Sequence, residues 1–221
     1  MLEVEKRPIS DQVLDYLRKK LLLQGFEEGE HLKESILSKE LNISRGPIRE
    51  AISQLEREGL VQRAANGRAI VQPFGEKDIR YLYDSRILLE TYALTQLEPD
   101  LLEEGKQLLY EDLKKMEETV AGKGLNVDAD LSFHCCLVKM TGNKTLISLW
   151  SSMNGVIKTL IEVTSEFTAG RQKDIVSEHK VVVDAIFDGD IELAQQLLER
   201  HLTGASDYYS KAVLELQEGR N

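Results

Sequence analysis

The chain has 221 residues, with 28 Lys and Arg against 38 Asp and Glu and a net charge of −10 at pH 7. That length suffices for two ordinary domains with real cores. No window approaches the eighteen apolar residues of a membrane span, and Met1 to Arg7 lack a signal-peptide core, so a cytoplasmic protein without a membrane partner is expected. The only cysteines, Cys135 and Cys136, are adjacent, which excludes a disulfide framework and reads as a pair of buried thiols.

Taken as one body, so acidic a chain is a poor partner for nucleic acid. Counted by segment, residues 1–74 hold 12 basic and 12 acidic side chains, whereas residues 75–221 hold 16 and 26. The acidity belongs to the second part. The electrostatic footprint expected for the first part is local, and binding through it would depend strongly on salt.

Residues 1–8 read as a charged, mobile leader. Ser10 is placed to cap a helix from Asp11 to about Gln24, with Val13, Leu14, Leu17 and Leu21 facing a small core and Gly25 as the stop. Phe26 to Leu32 form a turn, and Lys33 to Leu41 a short second helix. Asn42-Ile43 is a tight connection to a third, for which Ser44 is the expected cap. Pro47 is tolerable only in a first helical turn. Ile48, Ala51, Ile52 and Leu55 recur at helical spacing, and Gly59 ends the run. Arg45 and Arg49, four residues apart, stand one above the other on the outer face, where guanidinium forks can reach guanine edges in a major groove. Val61-Gln62-Arg63, the turn Ala64-Ala65-Asn66-Gly67 and Arg68-Ala69-Ile70-Val71 then read as a hairpin wing.

Gln72-Pro73-Phe74-Gly75 breaks regular structure. Beyond it no strand pattern occurs, and six helical stretches are expected: about 76–97, 100–121 (followed by Gly122 and Gly124), 127–140, 144–167, 171–187 and 190–217. The fold class is therefore mainly α, an N-terminal winged helix-turn-helix (residues 1–72), a linker (73–76) and a C-terminal antiparallel all-α helical bundle (77–221).

Ser44-Arg45-Gly46-Pro47-Ile48-Arg49-Glu50-Ala51-Ile52, then Leu55-Glu56-Arg57-Glu58-Gly59-Leu60-Val61 and Gly67 at the wing, resemble the winged helix-turn-helix of the GntR family of bacterial transcription regulators over Ile9–Val71. Glu28-Gly29 departs from the family's usual Pro-Gly, which affects only a turn. The resemblance implies double-stranded DNA as partner, with Lys33, Lys39, Ser44, Arg45, Gly46, Pro47, Arg49, Gly67 and Arg68 as the contact set. Arg45 and Arg49 would read bases, Lys39, Ser44 and Arg68 would touch phosphate, and Gly67 would let the wing approach the minor groove. A homodimer on a palindromic operator follows from family and symmetry.

Of four histidines, His134 follows Asp130 by four residues, so both share a helix face. His179 lies on the face of Val182, Val183 and Ile186, and His201 follows Leu197 and Leu198. Three imidazoles and a carboxylate suit Zn, Ni, Mn or Fe, with Zn or Ni favoured, and occupancy would fall at acid pH because neutral imidazole binds. From the residues alone, packed structural histidines are an equal reading. Asp130 to His134, Glu178-His179 through Asp190, and Ala194 to Leu202 resemble the effector-binding (FCD-type) bundle of the FadR subfamily, in its shorter six-helix, VanR-like version. The resemblance implies Asp130, His134, His179 and His201 as ligands of a divalent metal ion.

Arg86 resembles the family arginine that pairs with an effector carboxylate; an internal salt bridge with Glu90, four residues on, is the alternative. Asn143 reads as a helix cap, and Trp150 and Tyr92 as core. The expected function is a ligand-responsive repressor with a metal-assisted small-carboxylate effector site, effector binding shifting the placement of the DNA-binding heads. A metal-dependent enzyme acting on a small acid at the bundle is the alternative.

Overall fold

Punctuation residues decide where the helices of this chain begin and end, and apolar spacing decides which faces they bury. The computed structural model describes residues 7–121, 126–168 and 171–218. Residues 1–6 of the expected leader, and Gly122 and Gly124, lie outside the described residues.

Three helices and a hairpin make the first unit: α1 (Ile9–Leu22), α2 (Glu34–Leu41), α3 (Arg45–Arg57), β1 (Val61–Arg63) and β2 (Ala69–Val71). α3 buries Ile48, Ala51, Ile52 and Leu55 against α1 and α2, as its spacing predicts. Neither expected serine cap forms. Pro8 occupies the position before α1, so Ser10 falls inside the first turn, and Ser44 precedes α3 in an extended conformation without a side-chain capping bond. The first helix ends earlier than expected, because Gln24 adopts a left-handed φ of 51° ahead of Gly25. After α3, Gly59 takes φ +75°, the left-handed stop that favours glycine.

β1 and β2 pair antiparallel with Val61 opposite Val71 and Arg63 opposite Ala69, and His31 adds an isolated bridge to Ile70. Gly67 (φ +78°) turns the tip, and Asn66 Oδ1 accepts from the Arg68 N–H. Beneath this surface lies an ion pair that periodicity does not announce. Arg18 Nε and Nη2 both donate to the Glu58 carboxylate at 2.8 Å, with both side chains buried, and Gln54 Nε2 donates to the same carboxylate.

In the second unit, Glu76–Leu214, helices are the only regular secondary structure among the described residues. Its elements are α4 (Glu76–Leu94), α5 (Pro99–Ala121), α6 (Val127–Lys139), α7 (Lys144–Val163), α8 (Ser165–Thr168), α9 (Gln172–Phe187) and α10 (Ile191–Glu218). α5 packs on α6 and α9, and α4 and α7 both pack on α6 and on each other. Asn143 caps α7, its Oδ1 accepting from the Thr145 and Leu146 N–H groups, and Asn126 caps α6 in the same way.

Three details differ from expectation. The helix expected over 144–167 is interrupted at Thr164, whose buried hydroxyl bonds back to the Leu160 carbonyl and competes with the backbone ladder. Trp150 is fully buried beside Ala93, Val138 and Leu146, but Tyr92 is half exposed rather than core. Finally, α10 from Glu215 onward groups with the first unit, where Gln217 Nε2 donates to the Leu22 carbonyl, rather than with residues 77–214.

Candidate functional site

Two surfaces carry chemistry, one in each unit. In the first, Lys33, Lys39, Ser44, Arg45, Gly46, Arg49, Gly67 and Arg68 are all exposed, and Pro47 is half-buried in the first turn of α3. Lys33, Arg45 and Gly67 line one open groove together with Glu34 and Arg63. Lys39, Ser44, Gly46, Pro47, Arg49 and Arg68 are not among its lining residues. Arg49 is held from the side. Its Nε and Nη2 donate to the Glu34 carboxylate at 3.1 and 3.0 Å, and the hydrogen bond holds Glu34 below the usual carboxylate range. Arg63 donates through Nε to Glu56 and through Nη1 to the Gly67 carbonyl, bracing the wing tip against α3.

In the second unit α6, α9 and α10 bring Asp130, His134, His179 and His201 together. The ligand atoms of the three histidines all lie within 4.8 Å of one another, and all three side chains are buried. Each ring is tied through Nδ1: His134 to Glu90 Oε2 at 2.6 Å, His179 to the Ile175 carbonyl at 2.7 Å, and His201 to Glu178 Oε2 at 2.7 Å. A carbonyl or ionised carboxylate can only accept, so each Nδ1 carries a proton, and in the neutral imidazole that leaves Nε2 with the lone pair.

The acceptors are ionised. Burial alone would raise the Glu90 carboxyl, but His134, Arg86 and Trp150 overcome it and hold the group at about 2. The hydrogen bond from His201 lowers Glu178. Burial also depresses His134 and lowers His201 to about 4, keeping both rings neutral. Despite burial, the Arg86 guanidinium helps to hold Asp130 far below the carboxylate range.

With the protons so placed, His179 Nε2 stands 3.1 Å from His134 Nε2 and 3.3 Å from Asp130 Oδ1. Three lone-pair atoms converge with no proton between them. A divalent cation resolves that repulsion, and carboxylates or a carbonyl behind every ligating imidazole are the usual support of a metal site. The donor set therefore fits a divalent transition metal.

For Arg86 the structure shows the internal pair, Nε to Glu90 Oε1 at 3.0 Å with both residues fully buried. The pair does not exhaust the guanidinium, since Arg86 Nη2 is buried without a partner. Arg86 lines the same cavity as Asp130, His134 and His201, and Arg171 and Glu178 are also in its wall. The free space there is about 20 Å³, enough for one ion or one water.

Comparison with known proteins identifies the class. Residues 9–71 match the bacterial regulatory proteins of the gntR family, and residues 81–204 match the FCD domain. The chain belongs to the GntR-family regulators that carry an FCD domain. It is 27% identical over 208 residues to the HTH-type transcriptional regulator YdhC of Bacillus subtilis (strain 168), covering 91% of this chain and 90% of that one. It is 26% identical to the gluconate operon transcriptional repressor of Bacillus licheniformis, over 84% of this chain and 78% of that protein. Among solved structures, the fold is shared with the Listeria monocytogenes protein Lar (TM-score 0.69, 18% identity, 94% of this chain and 99% of that one). It is also shared with a GntR regulator structure from Rhodococcus sp. RHA1 (TM-score 0.59, 24% identity, 90% and 96%). The family consists of transcriptional regulators, not enzymes, which sets aside the metal-dependent enzyme as a reading of this chain. Among the described residues no helix is long and apolar enough to cross a membrane.

Sequence reasoning missed Glu34 and Glu178, and gave Glu90 only its link to Arg86. Glu90 could have been found by asking what a buried arginine and a buried histidine share, but the answer requires knowing that α4 packs on α6.

Proposed function

We propose that the protein is a cytoplasmic, ligand-responsive repressor that binds a palindromic operator as a homodimer and senses a small carboxylate at a metal-assisted site. Asp130, His134, His179 and His201 would hold the divalent ion, Zn or Ni by preference, and its positive charge would help to attract the acid. Arg86 would pair with the effector carboxylate through the nitrogen that Glu90 leaves free. The observation that carries this reading is the cluster of three buried histidines, two of which line one cavity with Asp130 and an unpartnered, buried guanidinium N–H.

On the DNA side, Arg45 and Arg49 would read bases from the start of α3. Lys33, Gly46 and Pro47 would help seat that end of the helix on the duplex. Lys39, Ser44 and Arg68 would contact phosphate, and Gly67 the minor groove. Supporting the homodimer, Tyr81, Leu88 and Tyr92 recur on one exposed face of α4, with Leu149 exposed on the adjoining α7. An apolar stripe of that kind suits self-association about a two-fold axis.

The experiment is retention of fragmented genomic DNA by the metal-loaded protein at moderate salt, followed by sequencing. Release is then tested with a panel of small carboxylates that includes gluconate, because a relative is named for its operon. Enriched palindromes released by one acid are the expected result. No enrichment, with and without metal, sinks the DNA-reading assignment.

A further inference from the structure

Among the described residues four buried side-chain atoms have no hydrogen-bonding partner, and two of them belong to residues that line the cavity beside the histidines: Tyr83 Oη and Arg86 Nη2. The other two, on Asn154 and Ser210, belong to residues that do not line it. Tyr83 and Arg86 are three residues apart on α4, hence on one face. Neither is accessible from outside, their exposures being 0% and 1%. A buried donor left unsatisfied destabilises a protein, so two in one cavity call for an explanation.

The rest of the neighbourhood is committed. Glu90 already accepts from Arg86 and Trp150 at Oε1 and from His134 at Oε2. The Tyr83 ring is fixed between the Arg86 guanidinium, 5.2 Å from its centroid, and the Tyr209 ring at 5.9 Å. Burial pushes the Tyr83 hydroxyl well above the ordinary tyrosine range, against the pull of the Arg86 guanidinium beside it, so it keeps its proton and can donate it.

We infer that Tyr83 is an effector-contacting residue, its hydroxyl donating together with the free Arg86 N–H to one carboxylate of the effector. Two donors in one cavity select for a group that only accepts. A carboxylate fits; the corresponding amide brings its own N–H groups against donors, and an amine is repelled by the guanidinium. This inference rests on the reading of the cavity as an effector site.

The test is Tyr83→Phe in the full-length, zinc-loaded protein, which removes one oxygen and keeps the ring. Thermal melts and titrations are run with acetate, lactate, succinate, citrate and gluconate, and with lactamide as a neutral control. Without any acid, the variant is expected to melt at the wild-type temperature or a few degrees above it, because an unsatisfied group has gone. With the acid to which the wild type responds, its Kd should rise about tenfold while zinc content is unchanged. Lactamide should affect neither protein. An unchanged Kd in the variant overturns the contact, and a lower melting temperature without acid shows that the hydroxyl has a structural role instead. A wild type that responds to none of the acids overturns the effector-site reading itself, an outcome visible before the variant is considered.

Discussion

Glu34, at the start of α2, holds Arg49 of α3 through two parallel N–H···O bonds. The pair ties the second helix of the helix-turn-helix to the residue expected to read a base, and fixes the direction of its fork. Because the carboxyl is lowered, the pair's contribution is present above the ordinary carboxylate pKa and is lost only as pH falls through the lowered value. For Arg49→Ala, operator preference should fall by about 1–3 kcal/mol with the fold intact. Glu34→Gln should tighten binding to scrambled DNA, a negative charge having left the face, while narrowing the ratio of specific to non-specific binding. Fluorescence anisotropy over a salt series reads both; parallel changes on the two DNAs would reduce Glu34 to a mere surface charge.

Replacing any of His134, His179 or His201 by Ala should abolish stoichiometric metal in elemental analysis. Chelation of the wild type should lower its melting temperature, with recovery on adding zinc. At a metal concentration a thousand times Kd the difference corresponds to about 4 kcal/mol. Glu90→Gln, which leaves the ligands in place but weakens the support behind His134, should cost about 10–100-fold in metal affinity. Retention of full affinity would mean that Glu90 serves only Arg86 and Trp150.

The buried Arg18–Glu58 pair predicts a stability effect confined to the first unit. Arg18→Ala leaves a buried carboxylate uncompensated and should destabilise by about 3–5 kcal/mol. The double change Arg18→Met with Glu58→Leu should recover most of that loss. Denaturant titration of the full chain separates the two cases, and a double variant as unstable as the single would show that the charges themselves are needed.

Leu88 is 69% exposed on α4. Leu88→Glu should convert the proposed dimer to monomer in light scattering while leaving helicity by circular dichroism unchanged. An unaltered mass would move the interface elsewhere.

Much of this architecture was legible in the sequence, for local reasons. The Ser44–Leu60 run, the Asn66-Gly67 turn, and breaks at Gly59 and Gln72-Pro73-Phe74-Gly75 act over a few residues, so helix type and order could be read directly. Caps were less legible because side chains compete for them: Pro8 displaced Ser10, while Asn143 behaved as expected. The histidines were visible through periodicity and resemblance. Their supporting acids were not, since Glu90 lies 44 residues from His134 and Glu178 lies 23 from His201, and only helix packing brings them together. The exposed stripe on α4 was hidden for the converse reason: apolar spacing shows which residues share a face, and does not say whether that face is covered.

The small size of the cavity beside the histidines has a consequence for sensitivity. With about 20 Å³ free, the resting protein admits an ion but not an acid of several carbons. For the effector role proposed above, side chains must part before the acid can enter, and the free energy of parting them is subtracted from the contacts it gains. The dose at half-response therefore lies above the intrinsic dissociation constant by the inverse of the fraction of molecules already open. Trimming a wall residue such as Ile161 would lower that threshold without touching a single donor, so detection limit and chemical selectivity can be adjusted separately.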